Sequence, residues 1–481
     1  MDDLDKALSL HRQGKLKEAE KIYLEILNKD KNNPEILQLV GTLNLQTQKY
    51  EVSEEYFLKS LNEDSNNPGT LNNLGLLNKA IGNFEKSKNY FEINIEKNNF
   101  EQSWVNKSNI LLEYNKDDEG LEFTKEALIR FPKNRKIKNN LAVFYFKCGH
   151  QKEALNIYSE FDKDKLHFTD SYLNYANILI KINNYSEALK ILNTLIFTDP
   201  QNQSALRTRS FIYKDSLEFK KAEDDLLQAI KIDKLNFLNN KMLVEIYIEQ
   251  EEYQKAITSC DLMINMNIET NFFLSKKIFC KMKLGIFLNL KDDLDLFNDN
   301  LDENNSSIDP LTIKYLNDDG YFQKKIAENY WDRKPKNNYL SKISNENNID
   351  KFKTKIRIGY FSGDFKDHAV FQLIQDLFLN HDKSNFEIYA YSTFKKEGFP
   401  RDKIIKNVDK FYDIDDLTDE EILKLVFSHS LDFAIDLSGY TGNSKSHLFE
   451  YNISKIKINY LGFPGTMGTN KYDYIIADQN I

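Results

Sequence analysis

The sequence predicts an all-α superhelix of repeated helical hairpins, followed by a partial α/β domain of Rossmann-like type. Three observations support this prediction. Small residues recur with a period of 34 along the first half of the chain. Strand-like and helical stretches alternate from Lys355 onward. The length of 481 residues exceeds what one ordinary hydrophobic core accommodates, so more than one domain is expected.

The repeats are marked by a small residue on the second helix of each hairpin, where two helices cross too closely for a large side chain. In successive repeats this residue is Ala19, Ser53, Ser87, Gly120, Ala154, Ala188, Ala222 and Ala256. A period of 34 in a helical pattern is typical of tetratricopeptide repeats, which stack into a protein-binding surface. We therefore expect eight repeats over residues 1–270 and a degenerate ninth over residues 271–301.

The second half of the chain changes period. Residues 302–354 are predicted to be a helical bridge and linker, because polar stretches flank one or two amphipathic helical segments. From residue 355 to residue 481 the pattern predicts a mostly parallel sheet of doubly wound type. Its strands are expected at 355–361, 386–392, 410–414, 431–438, 455–463 and 472–478. A capping box from Thr418 to Glu421 predicts a helix start between the third and fourth strands.

Composition excludes several classes of protein. The formal net charge of -9 provides no basic field for nucleic acid, so no nucleic-acid partner is expected. No apolar run is long enough to span a bilayer, and no membrane partner is expected. The three cysteines are scattered and fit no metal-ligand spacing, which is typical of reduced thiols in a cytoplasmic protein. The abundance of Asn, Lys and Ile indicates an AT-rich genome and favours a bacterial source.

Polar turns follow the predicted strands, at the edge where open α/β sheets bind ligands. These turns read SGDFKDH, STFKKEG, SGYTGN, PGTMGT and DQNI. None is a Walker loop, and no GxGxxG motif follows a strand, so neither nucleotide hydrolysis nor a standard dinucleotide site is supported. The turns predict a site for a polar ligand other than one held by a phosphate loop.

Four motifs in order, GYFSGDFKDH, SGYTGN, YLGFPGTMG and DYIIADQ, resemble the first catalytic lobe of the O-linked N-acetylglucosamine transferase family. The resemblance covers residues 355–481, and the family also carries a tetratricopeptide array before this lobe. It implies a two-lobed glycosyltransferase fold of the GT-B type. It also implies transfer of N-acetylglucosamine from UDP-N-acetylglucosamine to Ser or Thr of intracellular proteins. No cofactor and no metal are implied.

The resemblance places His368 in the catalytic cleft, either as a base or as a substrate contact, while the residues alone also allow a capping histidine. Asp364 is expected either to orient His368 or to serve only as a turn residue. The further loop residues that the resemblance assigns to this cleft are Ser362, Tyr440, Thr441, Pro464, Gly465 and Thr466. For the glycines of these loops, a purely structural role fits the spacing equally well. Asp436 and Asp478 are expected to terminate strands.

Asparagine recurs two positions before the small residue of the first helix in four consecutive repeats. These residues are Asn73, Asn106, Asn140 and Asn174. An amide both donates and accepts hydrogen bonds, so a ladder of amides can hold the backbone of an extended peptide of any sequence. The resemblance favours this peptide-binding role, and chance in an Asn-rich chain is the alternative.

The chain also departs from the family pattern. Where the family has Arg, two prolines and Gln before the third motif, this chain has Asn452, Ile453, Lys455 and Lys457. The family's second lobe, which holds the UDP moiety, is expected to be absent, so that this chain alone would bind the donor poorly and be inactive. Two alternatives stay open. One is a non-enzymatic peptide-binding scaffold, and the other is a related bacterial hexosyltransferase with a different sugar.

Overall fold

A computed structural model describes residues 3–163, 169–301, 308–333, 340–341, 354–394, 399–442 and 444–477. The chain divides into two compact units, Met1–Leu166 and His167–Ile481. Throughout these described ranges, no helix combines the length and the hydropathy that a membrane crossing requires. The prediction of a helical-repeat array followed by an α/β lobe is confirmed.

The first unit consists of five helical hairpins. Its helices are α1 (Asp3–Arg12), α2 (Leu16–Lys29), α3 (Pro34–Gln46), α4 (Tyr50–Glu63), α5 (Pro68–Ala80), α6 (Phe84–Asn98), α7 (Glu101–Glu113), α8 (Asp117–Arg130), α9 (Arg135–Lys147) and α10 (Gln151–Lys163). Asparagine caps several of the first helices: Asn33 Oδ1, for example, accepts a hydrogen bond from the backbone of Ile36 at the start of α3.

The second unit begins with four further hairpins and two more helices. These are α11 (Thr169–Lys181), α12 (Tyr185–Thr198), α13 (Gln203–Asp215), α14 (Phe219–Ile232), α15 (Phe237–Glu249), α16 (Tyr253–Asn265), α17 (Thr270–Leu284), α18 (Leu290–Asp299), α19 (Pro310–Leu316) and α20 (Gly320–Asp332). Helices α1 to α16 thus occupy the interval assigned to eight repeats, and α17 and α18 occupy that of the degenerate ninth.

The small residues of the repeat pattern lie at helix crossings. The hydroxyl of Ser53 donates a hydrogen bond to the Gly41 carbonyl at 2.8 Å, so the two helices of this hairpin are in near contact. A methyl group at Gly41 would lie 2.6 Å from the ring of Phe57. Ser87 and Gly75 repeat this hydrogen bond at 2.7 Å one hairpin later. The 34-residue period therefore reflects steric contact between paired helices.

In each of the first eight hairpins, the turn between the two helices contains one residue with left-handed backbone. These residues, with their φ angles, are Gly14 (75°), Gln48 (59°), Gly82 (78°), Asn115 (53°), Gly149 (83°), Asn183 (58°), Leu217 (60°) and Glu251 (59°). Only some of them are Gly or Asn, the residues that adopt this conformation at little cost. The turn geometry is therefore set by helix packing, and Leu217 adopts it under strain.

The α/β lobe contains one parallel six-stranded sheet. Its strands are β1 (Ile356–Ser362), β2 (Phe386–Ser392), β3 (Lys410–Asp413), β4 (Leu431–Asp436), β5 (Ser454–Tyr460) and β6 (Tyr474–Ile476). They lie in the order β3-β2-β1-β4-β5-β6. The helices of the lobe are α21 (Ala369–Ile374), α22 (Leu377–Asn380), α23 (Phe399–Asn407), α24 (Asp419–Ser428) and the 3₁₀-helix Ser446–Glu450. Each predicted strand is present, and Thr418 and Glu421 form the predicted capping box of α24.

Helix α20 belongs to the α/β lobe, although the sequence assigned it to a bridge that ends at residue 354. Trp331 at its end is buried in the core cluster that also contains Phe449. The Trp331 indole donates a hydrogen bond to the Glu450 carboxylate at 3.0 Å. A methyl group at Gly468 would lie 2.3 Å from the backbone nitrogen of Glu328. The lobe therefore begins before Lys355, because its core needs the aromatic face of α20.

A histidine sits within an aromatic stack on one face of the sheet. The His429 ring lies 4.8 Å from the ring centroids of both Tyr389 and Tyr412. Its Nδ1 is 2.7 Å from the hydroxyl of Tyr391. Burial, reinforced by the charges of Arg357 and Lys410, lowers the pKa of His429 to about 4. The lobe core therefore contains an imidazole that stays neutral near pH 7.

Replacing Leu217 by Gly is expected to stabilise the second unit. Left-handed backbone costs a leucine about 1–2 kcal/mol, and the greater freedom of Gly in the unfolded chain offsets up to about 1 kcal/mol of this. Thermal unfolding followed by circular dichroism should show a net gain of about 0.5–1 kcal/mol. Leu235→Gly is the control, since Leu235 lies in a turn without left-handed backbone. A lower melting temperature for Leu217→Gly would contradict the account.

The aromatic stack predicts an acid-sensitive lobe. The pKa of His429 is about 4 when folded and about 6.5 in an unfolded chain. The unfolded state therefore binds more protons between these values, and the stability contributed by neutral His429 is lost as the pH falls from about 6.5 to about 4.

Urea unfolding at pH 7 and pH 5 should show this loss, and His429→Gln should reduce the difference between the two pH values. An identical pH dependence in the wild type and in His429→Gln would show that the imidazole does not contribute.

Candidate active site at the carboxyl ends of the strands

The order of the strands creates a crevice between two loops. The chain runs from β1 to β2 and β3 on one side, then returns to β4, β5 and β6 on the other side. The loops that follow β1 and β4, residues 363–368 and 437–442, therefore leave adjacent strands and diverge. In open α/β sheets, ligands bind at such a point, outside the carboxyl ends of the strands.

Hydrogen bonds connect these two loops where they leave the sheet. The backbone nitrogen of Gly363 donates to the hydroxyl oxygen of Ser438 at 3.1 Å. Leu437 donates to the carbonyl of Phe361 at 2.9 Å, which extends the β1–β4 ladder by one bond. The beginning of each loop is therefore held in place.

The buried carboxylate of Asp436 organises the end of β4. Its Oδ1 accepts hydrogen bonds from the backbone of Ser438 and of Gly439, both at 2.9 Å. Its Oδ2 accepts one from the Tyr472 hydroxyl at 2.6 Å, which links the loop to the residues before β6. The prediction that Asp436 terminates a strand is confirmed, whereas Asp478 lies outside the described residues.

The loop after β5 packs tightly on the loop after β4. A methyl group at Gly462 would lie 1.8 Å from the Leu437 carbonyl oxygen, so only glycine fits there. Gly439 has a φ of 56°, and a methyl group on it would lie 2.4 Å from Phe463 Cβ. These two glycines therefore have a structural role in joining the loops.

His368 is the N-cap residue of α21. Its Nδ1 accepts a hydrogen bond from the backbone nitrogen of Val370 at 3.3 Å. The same Nδ1 lies 3.6 Å from Asp364 Oδ2, beyond hydrogen-bond distance. The side chain is 44% exposed. Because Nδ1 accepts, the neutral imidazole carries its proton on Nε2 and presents a donor to its surroundings.

Ser362 and Asp364 lie behind the loop surface. Both are buried, and the backbone nitrogen of Asp364 donates to the Ser362 hydroxyl oxygen at 3.0 Å. Lys366, which motif comparison missed, places its ammonium 3.8 Å from Asp364 and 4.1 Å from the Phe394 ring centroid. A single lysine within a polar turn carries no periodic or motif signal, so only the structure identifies it as the cation of this loop.

The remaining predicted loop residues are less uniform in their surroundings. The Tyr440 hydroxyl donates to the Met467 carbonyl at 2.5 Å, and burial, with Tyr330 and Asp436 nearby, raises its pKa. The Thr441 hydroxyl donates to the Ser438 carbonyl at 2.8 Å, as in a closed turn. Pro464 and Thr466 are exposed, and Gly465 between them is partly exposed. The residues of the PGT turn are thus accessible to a ligand, while Tyr440 and Thr441 mainly shape the loop.

Asn459 near the end of β5 is a second residue that motif comparison missed. It pairs with Asp436 across the β4–β5 ladder and is 1% exposed. Neither amide atom has a hydrogen-bond partner in the described chain. Its Nδ2 lies 3.3 Å from the position of a methyl group on Gly439, beneath the loop after β4. The sequence alone does not identify Asn459 as a site residue, because it fits the alternating pattern of its strand.

Lys457 occupies the position where the family pattern has Gln. Its ammonium donates to the carbonyls of Phe449 at 2.9 Å and Tyr451 at 3.3 Å. Burial lowers its pKa, with Lys471 adding to the effect. The substituted lysine thus ties β5 to the end of the 3₁₀-helix and does not face the crevice loops.

The ladder asparagines of the first unit make hydrogen bonds between neighbouring repeats. Asn73 donates to Thr42 at 2.9 Å, and Asn106 donates to Asn72 at 2.9 Å. Asn140 donates to the Ser108 hydroxyl at 2.7 Å and to Asn109 at 2.6 Å. Asn106 and Asn140 are buried, Asn73 is partly exposed, and Asn174 is partly exposed in the second unit. In the first unit, these amides stabilise the stacking of the repeats.

The crevice residues support group transfer more readily than nucleophilic catalysis by the protein. The described loops present an imidazole Nε2–H, the Lys366 ammonium and polar backbone groups of the PGT turn. These groups can bind and stabilise an anionic or sugar-like ligand. The hydroxyls of Ser362 and Ser438 are buried and accept backbone hydrogen bonds, which leaves them without access as nucleophiles.

Comparison with known protein families matches both parts of the chain. Residues 318–481 match the model of glycosyl transferase family 41, a range that includes all of α20 together with the lobe. Residues 169–202, which contain α11 and α12, match the tetratricopeptide repeat model. Residues 8–115 match the model of the coatomer epsilon subunit, within the helical hairpins of the first unit.

Curated relatives align with about a quarter to a third of this chain. A probable UDP-N-acetylglucosamine–peptide N-acetylglucosaminyltransferase SEC of Arabidopsis thaliana is 29% identical over 126 residues, 26% of this chain and 13% of the relative. The UDP-N-acetylglucosamine–peptide N-acetylglucosaminyltransferase of Caenorhabditis elegans is 29% identical over 26% of this chain and 11% of its own. The probable enzyme SPINDLY of Petunia hybrida is 25% identical over 35% of this chain and 18% of its own. The matched region thus spans less than a fifth of these relatives.

Among solved structures, a mutant of the Thermobaculum terrenum O-GlcNAc transferase has 18% identity to this chain. The match covers 65% of this chain and 54% of that one, with a TM-score of 0.38. The range matched by the family model contains all four motifs. The α/β lobe of this chain is therefore similar to glycosyl transferase family 41, and an array similar to tetratricopeptide repeats precedes it.

Proposed function

We propose that the protein is an O-glycosyltransferase that moves N-acetylglucosamine from UDP-N-acetylglucosamine to Ser or Thr of proteins bound by the repeat array. The observation that carries the proposal is the convergence of three family motifs at one sheet edge. The loops after β1, β4 and β5 are joined there by the Gly363–Ser438 hydrogen bond and by the packing of Gly462 on Leu437. The curated relatives named above supply the donor and the acceptor class.

In the proposed reaction, the acceptor hydroxyl oxygen forms a bond to C1 of the sugar as the bond from C1 to the diphosphate breaks, and the hydroxyl proton is released to water. Holding both reactants in line supplies much of the rate enhancement. The negative charge that develops on the diphosphate needs donors and cations nearby. We assign the outward Nε2–H of His368 to a substrate hydrogen bond, because its Nδ1 is already occupied by Val370.

We place this activity in the cytoplasm of a bacterium. All three cysteines are free: Cys260 and Cys280 are buried, and Cys148 is partly buried. Burial raises the pKa of both the Cys260 and the Cys280 thiols, and that of Cys280 rises to about 12. Unpaired and unreactive thiols are typical of a reducing compartment.

A transfer assay tests the proposed function directly. The complete gene product containing residues 1–481 is incubated with UDP-N-acetylglucosamine and a Ser/Thr-rich acceptor protein, and the acceptor is measured by intact-mass spectrometry. We expect a mass increase of one N-acetylhexosamine per site. Transfer only from UDP-glucose would indicate a hexosyltransferase with another sugar, and acceptor binding without any transfer would indicate a scaffold.

Two substitutions at His368 separate catalysis from helix capping. Asparagine is a good N-cap residue, so His368→Asn should keep the wild-type melting temperature, whereas His368→Ala should lose about 1 kcal/mol. Both variants lose the substrate hydrogen bond, and both should reduce the transfer rate about 10- to 100-fold, as expected for a bond to a charged group. Steady-state transfer and thermal unfolding are measured in parallel. Wild-type transfer by His368→Asn would leave His368 with a capping role only.

A further inference from the structure

We propose that Arg207 and Lys241, on the first helices of two successive repeats, form a carboxylate-binding site that selects acceptor proteins with acidic segments. The inference deepens the proposed function by naming a substrate class, and it rests on the assignment of the array as the acceptor-binding region. Both residues lie in the second unit, on α13 and α15.

Arg207 is a partly buried cation that has only neutral partners. Its Nη1 donates to Asn239 Oδ1 at 3.0 Å, and its Nη2 donates to the Ser204 hydroxyl at 3.3 Å. It forms no ion pair in the part of the chain that the structure describes. Burial lowers its pKa, which reports the cost of holding this charge away from water. A guanidinium in this situation has donors left for a planar anion.

Lys241 lies in a comparable setting one repeat later. Its ammonium is held over two aromatic rings, 5.9 Å from the centroid of Phe237 and 5.3 Å from that of Phe272. Cation–π contacts stabilise the charge but leave its N–H donors unused. The described residues supply no carboxylate to it. Phe272 belongs to α17, so Lys241, like Arg207, contacts the first helix of the following repeat.

The two cations occupy the same position in the repeat, since they are 34 residues apart. The corresponding residues of the four preceding repeats are uncharged: Asn72, Val105, Asn139 and Leu173. At this position of the repeat, a positive charge therefore occurs in the two later repeats and in none of the four before them. Tetratricopeptide arrays bind extended ligands on a concave surface formed by successive repeats.

A neighbouring arginine shows the arrangement that satisfies such a charge internally. Arg209 makes two hydrogen bonds to the Asp225 carboxylate, at 2.8 Å and 2.6 Å. Arg207, two residues away on the same helix, has no such carboxylate among the described residues. The missing anion is the group that a bound partner would supply, because pairing offsets the desolvation cost of the guanidinium.

The ligand that fits is an acidic peptide segment. Packed helices lie about 10 Å apart, and an extended chain rises about 3.3 Å per residue. Carboxylates about three residues apart would therefore reach both cations at once. Nucleic acid is disfavoured as the occupant, because its affinity depends on neutralising many phosphates and this site offers two cations.

The test is a peptide-binding measurement on the complete gene product. Two fluorescein-labelled 13-residue peptides of Gly, Ser, Thr and Ala are compared by anisotropy at low ionic strength. One carries two Glu residues three positions apart, and the other carries Gln in their place. We expect the Glu peptide to bind about tenfold more tightly, with the preference decreasing at 0.5 M salt. The double variant Arg207→Gln/Lys241→Gln should bind both peptides equally.

Lys231→Gln/Lys234→Gln is the matched control, because it removes two positive charges from exposed sites at the end of α14 and in the turn after it. It should retain the preference for the Glu peptide, and circular dichroism should show that the double variant is folded. Equal affinity of the wild type for the two peptides, or no detectable binding of either, would overturn the inference. So would tighter binding of a labelled oligouridylate through the same two residues. A Glu preference without any sugar transfer would refute the proposed function and leave the inference standing.

Discussion

The buried carboxylate of Asp436 is the interaction on which the candidate site depends. It accepts three hydrogen bonds, two from the backbone of the loop after β4 and one from Tyr472 next to β6. A buried carboxylate with this number of donors is stable only when all of them are in place. Its geometry therefore fixes the direction in which the chain leaves β4. Because Gly462 packs on Leu437, the loop after β5 takes its position from the loop that Asp436 holds.

The fold was largely predictable because its signals are local. Strand alternation identified β2 at its observed bounds, and the Thr418–Glu421 pattern identified the start of α24. For α20, an amphipathic helix that the pattern assigns to a bridge, local signals are less informative. Its assignment to the lobe depends on the contact of Trp331 with Glu450, a residue 119 positions away. Contacts between residues so far apart in sequence do not change the hydrophobic periodicity of a segment, so the pattern cannot predict them.

The site was predictable in location but not in the roles of its residues. Motif order placed three loops at the same sheet edge, yet the sequence does not show that His368 caps α21 or that Asp364 lies beyond hydrogen-bond distance of it. The sequence did not identify Asn459 or Lys366, because Asn459 fits the alternation of its strand and Lys366 fits a polar turn. The asparagines of the first unit illustrate a further limit. A repeated amide is equally suited to bind a peptide and to bond the next repeat, and in Asn106 and Asn140 the second use is visible.

The central claim is that the donor sugar and the acceptor meet at the edge formed by the loops after β1, β4 and β5. Hydrogen–deuterium exchange of the complete gene product, with and without UDP-N-acetylglucosamine and an acceptor peptide, tests this most directly. The account predicts that adding both ligands slows exchange in residues 362–368, 437–442 and 461–468. Unchanged exchange in all three loops, in a sample that demonstrably binds donor and peptide, would contradict it.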